Sequence, residues 1–165
     1  MKSLFHASVL VLLFVSATVV SADPNVNCSD YRWVKVAWVE DGNLPTLADA
    51  GYTFNGVPVI RYNPNLAKGT DPSMLRFAYY RECGRHALGL TLTTPASIAD
   101  ARARNVMADC FAISRLYYSD DVGDKEVEAI QYKFGEMLPE QWKIFPGPRR
   151  VVDLKKECYL KPFNP

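Results

Sequence analysis

Hydrophobic and polar positions follow two different periods along this chain. From Trp33 to Val39, and again from Val57 to Tyr62, β-branched and aromatic residues fill short runs. The turn-prone Asp41-Gly42-Asn43 and Asn55-Gly56 separate them, which predicts two strands. Asn63-Pro64-Asn65 closes the second run. From Asp71 the period lengthens. Asp71 reads as an N-cap, Pro72 takes the first helical position, and Leu75, Tyr79, Cys83 and His86 or Ala87 share a face until Gly89 stops the helix. Thr94-Pro95 predicts a second helix reaching about Tyr118, with Ile98, Ala101, Val106, Cys110, Ile113 and Tyr117 as its apolar stripe. A third helix is expected from near Asp124 to about Met137, ahead of Pro139. A short last one begins at Pro148 and carries Val151, Val152, Leu154 and Cys158. A small N-terminal sheet followed by helices is an α+β arrangement.

The first 22 residues stand apart. Lys2 precedes a nearly unbroken apolar stretch from Ala7 to Val20, and Val20-Ser21-Ala22 places small residues where a signal peptidase reads them, so cleavage is expected before Asp23. The apolar core is shorter than the roughly 20 residues that span a bilayer, which disfavours an uncleaved anchor. Residues 23–165 then form a single exported domain, periplasmic or extracellular. No second long apolar segment follows, so no membrane association is expected after cleavage. Charge adds little: 19 Lys plus Arg face 18 Asp plus Glu, and the balance is even once Lys2 is set aside. Neither nucleic acid nor an anionic surface is suggested as a partner.

All four cysteines, Cys28, Cys83, Cys110 and Cys158, lie in the exported part, where disulfides form. Three pairings are possible. The expected one joins Cys83 to Cys110, across the first two long helices, and Cys28 to Cys158; the alternative pairs Cys28 with Cys83 or Cys110. No two cysteines have the spacing of a zinc knuckle.

With His6 removed, His86 is the only imidazole, and it sits in Arg81-Glu82-Cys83-Gly84-Arg85-His86-Ala87-Leu88-Gly89. A zinc peptidase carries His-Glu-x-x-His in such a setting, two imidazoles on one helical face with the Glu as general base. Together with Ala108-Asp109-Cys110-Phe111-Ala112, the segment resembles the two core motifs of gluzincin metallopeptidases related to the CAAX-processing and Oma-type enzymes, over about residues 57–118. In that group a second helix bears Glu-x-x-Ala-Asp, whose Glu is the third zinc ligand and whose Asp supports a ligand histidine.

The resemblance implies a zincin-like helical core, with Glu82 at the general-base position and Asp109 at the supporting carboxylate. The ligand positions fall on Arg81, Arg85 and Asn105. A guanidinium stays protonated and offers zinc no lone pair. No metal or other cofactor is therefore expected, and Arg81 and Arg85 are expected to replace the cation's charge between Glu82 and Asp109. His86 lies one residue past the second ligand position, about 100° around the helix, and is expected to pair with Glu82 at i,i+4; Asp100 and Arg104 form a second such pair. The reading that follows is a pseudopeptidase that binds a peptide or protein. An active zinc-dependent peptidase, with zinc as its cofactor, and a purely structural secreted protein are the alternatives. A Cys-His hydrolase built on Cys83 and His86, and a two-carboxylate glycosidase built on Glu82 and Asp109, rest on less specific signals.

Overall fold

The computed structural model describes residues 24, 26–120, 122–151 and 153–160. The expected signal segment, residues 1–22, its cleavage point at Asp23, and Val152 lie outside them. The architecture is α+β, a three-stranded sheet followed by helices. The strands are β1 (Ala37–Glu40), β2 (Ala48–Tyr52) and β3 (Pro58–Tyr62), and β3 lies in the middle. It runs parallel to β1, with Trp38 opposite Ile60, and antiparallel to β2, with Ala50 opposite Ile60. Val59, Ile60 and Tyr62 are buried, as a central strand's side chains should be, whereas Arg61 is exposed and pairs with Asp49 of β2 at 2.8 Å.

The helices are α1 (Pro64–Ala67), α2 (Pro72–Ala87), α3 (Ile98–Ser119), α4 (Asp124–Glu136), α5 (Pro139–Ile144) and α6 (Leu154–Glu157). Helix α2 starts as expected, with the Asp71 carboxylate accepting from the N–H groups of Ser73 and Met74 and Pro72 following it. It ends before Gly89, whose φ of 66° is the left-handed conformation that glycine adopts without penalty. Helix α3 starts later than Thr94-Pro95 suggests. Ser97 is its cap, and its hydroxyl accepts from the Asp100 N–H.

Two apolar clusters flank α2. One joins it to the sheet through Val36, Ile60, Tyr62, Tyr79 and Cys83. The other gathers Phe77 and Ala78 with Ala112, Ile113, Leu116, Ile130, Phe134, Trp142 and Leu154. Between α2 and α3 the backbones come very close: a Cβ on Gly84 would lie 2.8 Å from the Phe111 side chain. A glycine there is what lets the two helices approach.

The disulfides differ from the expected pairing. Cys28 is bonded to Cys83, with Cα atoms 5.7 Å apart, and Cys110 to Cys158, at 4.9 Å. The reason is helical geometry. Arg81 and Gly84 are the α2 residues that meet α3, and Cys83 is turned about 100° from Gly84 and about 200° from Arg81, so it faces the sheet and the N-terminal segment. By the chain-entropy model each bridge, closing a separation of 55 or 48 residues, contributes about 4 kcal/mol. Two disulfides are compatible with an oxidising compartment. No helix among the described residues is long and apolar enough to cross a membrane.

Candidate functional site

Helices α2 and α3 bury four polar or charged side chains where other helix pairs bury hydrocarbon: Arg81, Glu82 and His86 on α2, and Asp109 on α3. Arg81 is the hub. Its Nε donates to Asp109 Oδ1 at 3.0 Å, its Nη1 to Glu82 Oε1, and its Nη2 to Asn105 Oδ1. One guanidinium thus joins Glu82, Asp109 and Asn105, three positions that the motif resemblance singles out. The Asn105 amide is held in turn by its Nδ2, which donates to the Ala101 carbonyl at 2.8 Å.

Each carboxylate has further donors. Glu82 Oε2 accepts from the backbone N–H of Ala50 in edge strand β2 at 2.9 Å and from Arg85 Nη1 at 2.9 Å. Asp109 accepts from Arg150, whose Nε lies 2.5 Å from Oδ2 and whose Nη2 lies 2.6 Å from Oδ1, a two-pronged pair. Arg150 arrives on the irregular segment after α5. Its guanidinium carbon lies 5.3 Å from the Trp142 ring centroid, 5.6 Å from Phe134 and 5.9 Å from Phe145, and its side chain is 8% exposed. Aromatic faces suit a cation, so the three rings favour the guanidinium alongside its pairing with Asp109. The Pro146 and Pro148 carbonyls take its Nη1. Gly147 lies directly over Arg81, where a Cβ would come within 2.5 Å of Nη2, and its φ of 84° also favours glycine.

Burial depresses the Arg81 pKa, while the two carboxylates beside it pull the other way. Facing both of them, the guanidinium keeps its proton. For Arg85, burial again lowers the pKa, but Glu82 and Asp49 outweigh it and the net shift is upward. Arg85 reaches Asp49 at 3.6 Å and is about a third exposed, so it sits on the rim of the cluster.

His86 belongs elsewhere. Its Nε2 bonds the Val59 carbonyl at 2.9 Å, and its ring meets Tyr52 edge-on at 5.3 Å. The expected pair with Glu82 does not form, because that carboxylate is already shared by Arg81, Arg85 and Ala50. Burial pulls the His86 pKa below its ordinary value, so the ring is neutral. Asp100 and Arg104 do pair, at 3.0 Å.

The structure brings Arg81, Glu82, Asn105 and Asp109 together, puts Arg85 at their edge and leaves His86 behind in the sheet contact. Cys83 and Cys110 are disulfide-bonded and therefore supply no thiol nucleophile. Two members of the cluster have no counterpart in the motif: Arg150 and Gly147. Their one sequence signal is Pro146-Gly147-Pro148 ahead of Arg149-Arg150, a stiff turn followed by charge. These residues do not fit a zinc ion. Arg81 and Arg85 have no lone pair to give, and the oxygens of Asn105, Glu82 and Asp109 already accept from guanidinium groups. Among the described residues no group of three or more His, Cys, Asp or Glu converges.

Above the cluster opens a cleft of about 480 Å³, lined by Arg81, Arg85, Asn105, Thr91, Thr93 and Arg104 together with apolar residues such as Leu90 and Leu92. No protein-family model, curated protein or solved structure matches the chain.

Proposed function

We propose that this chain is an exported pseudopeptidase: a gluzincin-like core, directed outward by residues 1–22, that has exchanged its metal for arginine and binds a peptide in the cleft above. The observation that carries the reading is the position of Arg81. Its guanidinium spans Glu82, Asp109 and Asn105, the three surviving or altered positions that the motif would gather around zinc, and it supplies positive charge there. Without a cation the two carboxylates would be buried uncompensated, which is strongly unfavourable. With Arg81, Arg85 and Arg150 they are neutralised, and no general base is left free to activate water, because both Glu82 oxygens are occupied.

The test has two arms. Chain purified without chelators is expected to carry no stoichiometric zinc and to unfold at the same temperature with and without a chelator. About one zinc per chain, lost together with stability, overturns the reading in favour of an active peptidase. In the reverse direction, combining Arg81→His, Arg85→His and Asn105→Glu should create zinc affinity if the helices keep zincin geometry, and a variant that folds but takes up no zinc counts against the gluzincin relationship. Capture of peptides from a randomised pool by the parent chain tests the binding role, and capture of none favours a purely structural protein.

A further inference from the structure

The three arginines that line the cleft are not equivalent as donors. Arg81 has all three nitrogens engaged, with Asp109, Glu82 and Asn105. Arg104 is likewise spent on the wall: Nε on Asp100 at 3.0 Å, Nη1 on the Thr93 carbonyl at 3.1 Å and Nη2 on the Thr93 hydroxyl at 3.0 Å. Arg85 differs. Only its Nη1 is used, toward Glu82 and Asp49, and its side chain is 32% exposed in the cleft. Its Nε and Nη2 have no partner among the described residues. Those two nitrogens form the side-on fork that matches the two oxygens of a carboxylate.

The charges around this fork are arranged by side. The cleft lining contains Arg81, Arg85 and Arg104 and no acidic residue, while Glu82, Asp109, Asp100 and Asp49, which offset them, lie off the lining. A ligand entering the cleft therefore meets cationic groups first, with hydroxyls from Thr91, Thr93 and Thr94 beside them. The volume suits one or two residues of a peptide rather than a large cofactor.

Resting on the peptide-binding reading above, we propose that the cleft is a carboxylate receptor, in which Arg85 takes a peptide carboxylate side-on through Nε and Nη2. A single available guanidinium suits a singly charged planar carboxylate. Phosphate recognition, by contrast, draws on several arginines with donors to spare. The carboxylate comes from a free C-terminus or from an Asp or Glu side chain. The two sources share this chemistry and are separated by the choice of peptide.

The decisive measurement uses the full chain immobilised and three pools of randomised, N-acetylated hexapeptides: free acid without Asp or Glu, C-terminally amidated without Asp or Glu, and amidated with Glu permitted. Retention of the free-acid pool at least about tenfold above the acid-free amidated pool supports a C-terminal receptor, and the same preference for the Glu-containing amidated pool supports a side-chain receptor. Arg85→Met should abolish the preference, and Arg85→Lys, which keeps the charge and loses the fork, should recover only part of it. Equal retention of all three pools overturns the carboxylate inference and leaves peptide binding standing. The Arg85 Nε–H resonance, titrated with sodium acetate and with inorganic phosphate, provides the independent readout. A saturable shift with acetate supports the receptor even where no hexapeptide is retained, a result that counts only against the peptide-binding reading. No shift with acetate, or a shift with phosphate alone, overturns the receptor.

Discussion

At one end of the α2–α3 contact, Phe77 and Ala78 belong to a dry apolar layer with Ala112, Ile113 and Leu116; one turn further along α2, Arg81 and Glu82 meet Asp109 in a layer made of charge. Both layers are equally inaccessible to water, yet they are held differently. The apolar layer is stabilised by area removed from water, a non-directional effect that adds up over many weak contacts. The charged layer is stable only as a set, because each member is buried on condition that the others are present. Charge pairs inside a protein commonly contribute less than a hydrocarbon replacement of the same volume would.

Breaking the set should give the largest effect. Arg81→Met combined with Arg85→Met leaves Glu82 with only the Ala50 N–H and Asp109 with only Arg150, and should cost about 5 kcal/mol at neutral pH, the upper end for an opened buried pair. Urea unfolding measures that loss. A cost within about 1 kcal/mol would mean that the pair behaves as an exposed one.

In the apolar layer, Phe77→Ala should cost about 4 kcal/mol in urea unfolding, through lost contacts and a residual cavity. Gly84→Ala sharpens the comparison at the junction of the two layers. The new Cβ would press on Phe111, and a loss of about 1–3 kcal/mol is expected, whereas Gly135→Ala in α4, with open space around it, should stabilise the chain by about 0.4–1 kcal/mol.

The smallest effect is a slope with pH. Burial lowers the His86 pKa in the folded chain, so the unfolded chain binds the proton more readily. Stability is therefore present above the unfolded value of about 6.5 and declines as pH falls below it toward the folded value. His86→Gln should flatten that part of the melting-temperature profile, and an unchanged slope would assign it to other groups.

What could be read in the sequence depended on how local the cause was. Helix α2 was legible from Asp71-Pro72 at its start to Gly89 at its end, because caps act within a few residues. Strand β2 was not, since Ala48-Asp49-Ala50-Gly51-Tyr52 lacks the β-branched run that marks a strand and is held by pairing with β3. The stripe expected on α3 was displaced: Ile98 is 92% exposed, while Ala108, Asp109 and Ala112 are buried. Close helix approach at Gly84 selects small residues on the contact face, and Asp109 is inside because two arginines meet it. The α5 helix and the short α1 turn were missed, and the expected helix from Pro148 shrank to Leu154–Glu157. At the site, residues 81, 82, 105 and 109 were singled out through the motif resemblance, and their side chains meet around the Arg81 guanidinium. Arg150, 41 residues from Asp109, was not singled out, since no local pattern specifies a contact at that separation.

The two disulfides have a topological consequence. One closes the chain from Cys28 to Cys83 and the other from Cys110 to Cys158, so the covalent rings are consecutive, neither nested nor interlocked. A single backbone cut inside either ring leaves one connected molecule. Residues 84–109 are the only covalent bridge between the rings, and that bridge includes the exposed stretch 92–99, whose first four residues line the cleft. Cleavage there divides the protein into two closed loops of chain held together by noncovalent contacts alone, among them the packing of Phe77 on Phe134 and Phe145, the Leu47 N–H bond to the Ile144 carbonyl and the α2–α3 contact, with Arg81 on one piece and Asp109 on the other. The buried ion cluster would then be one of the noncovalent clasps between the two pieces.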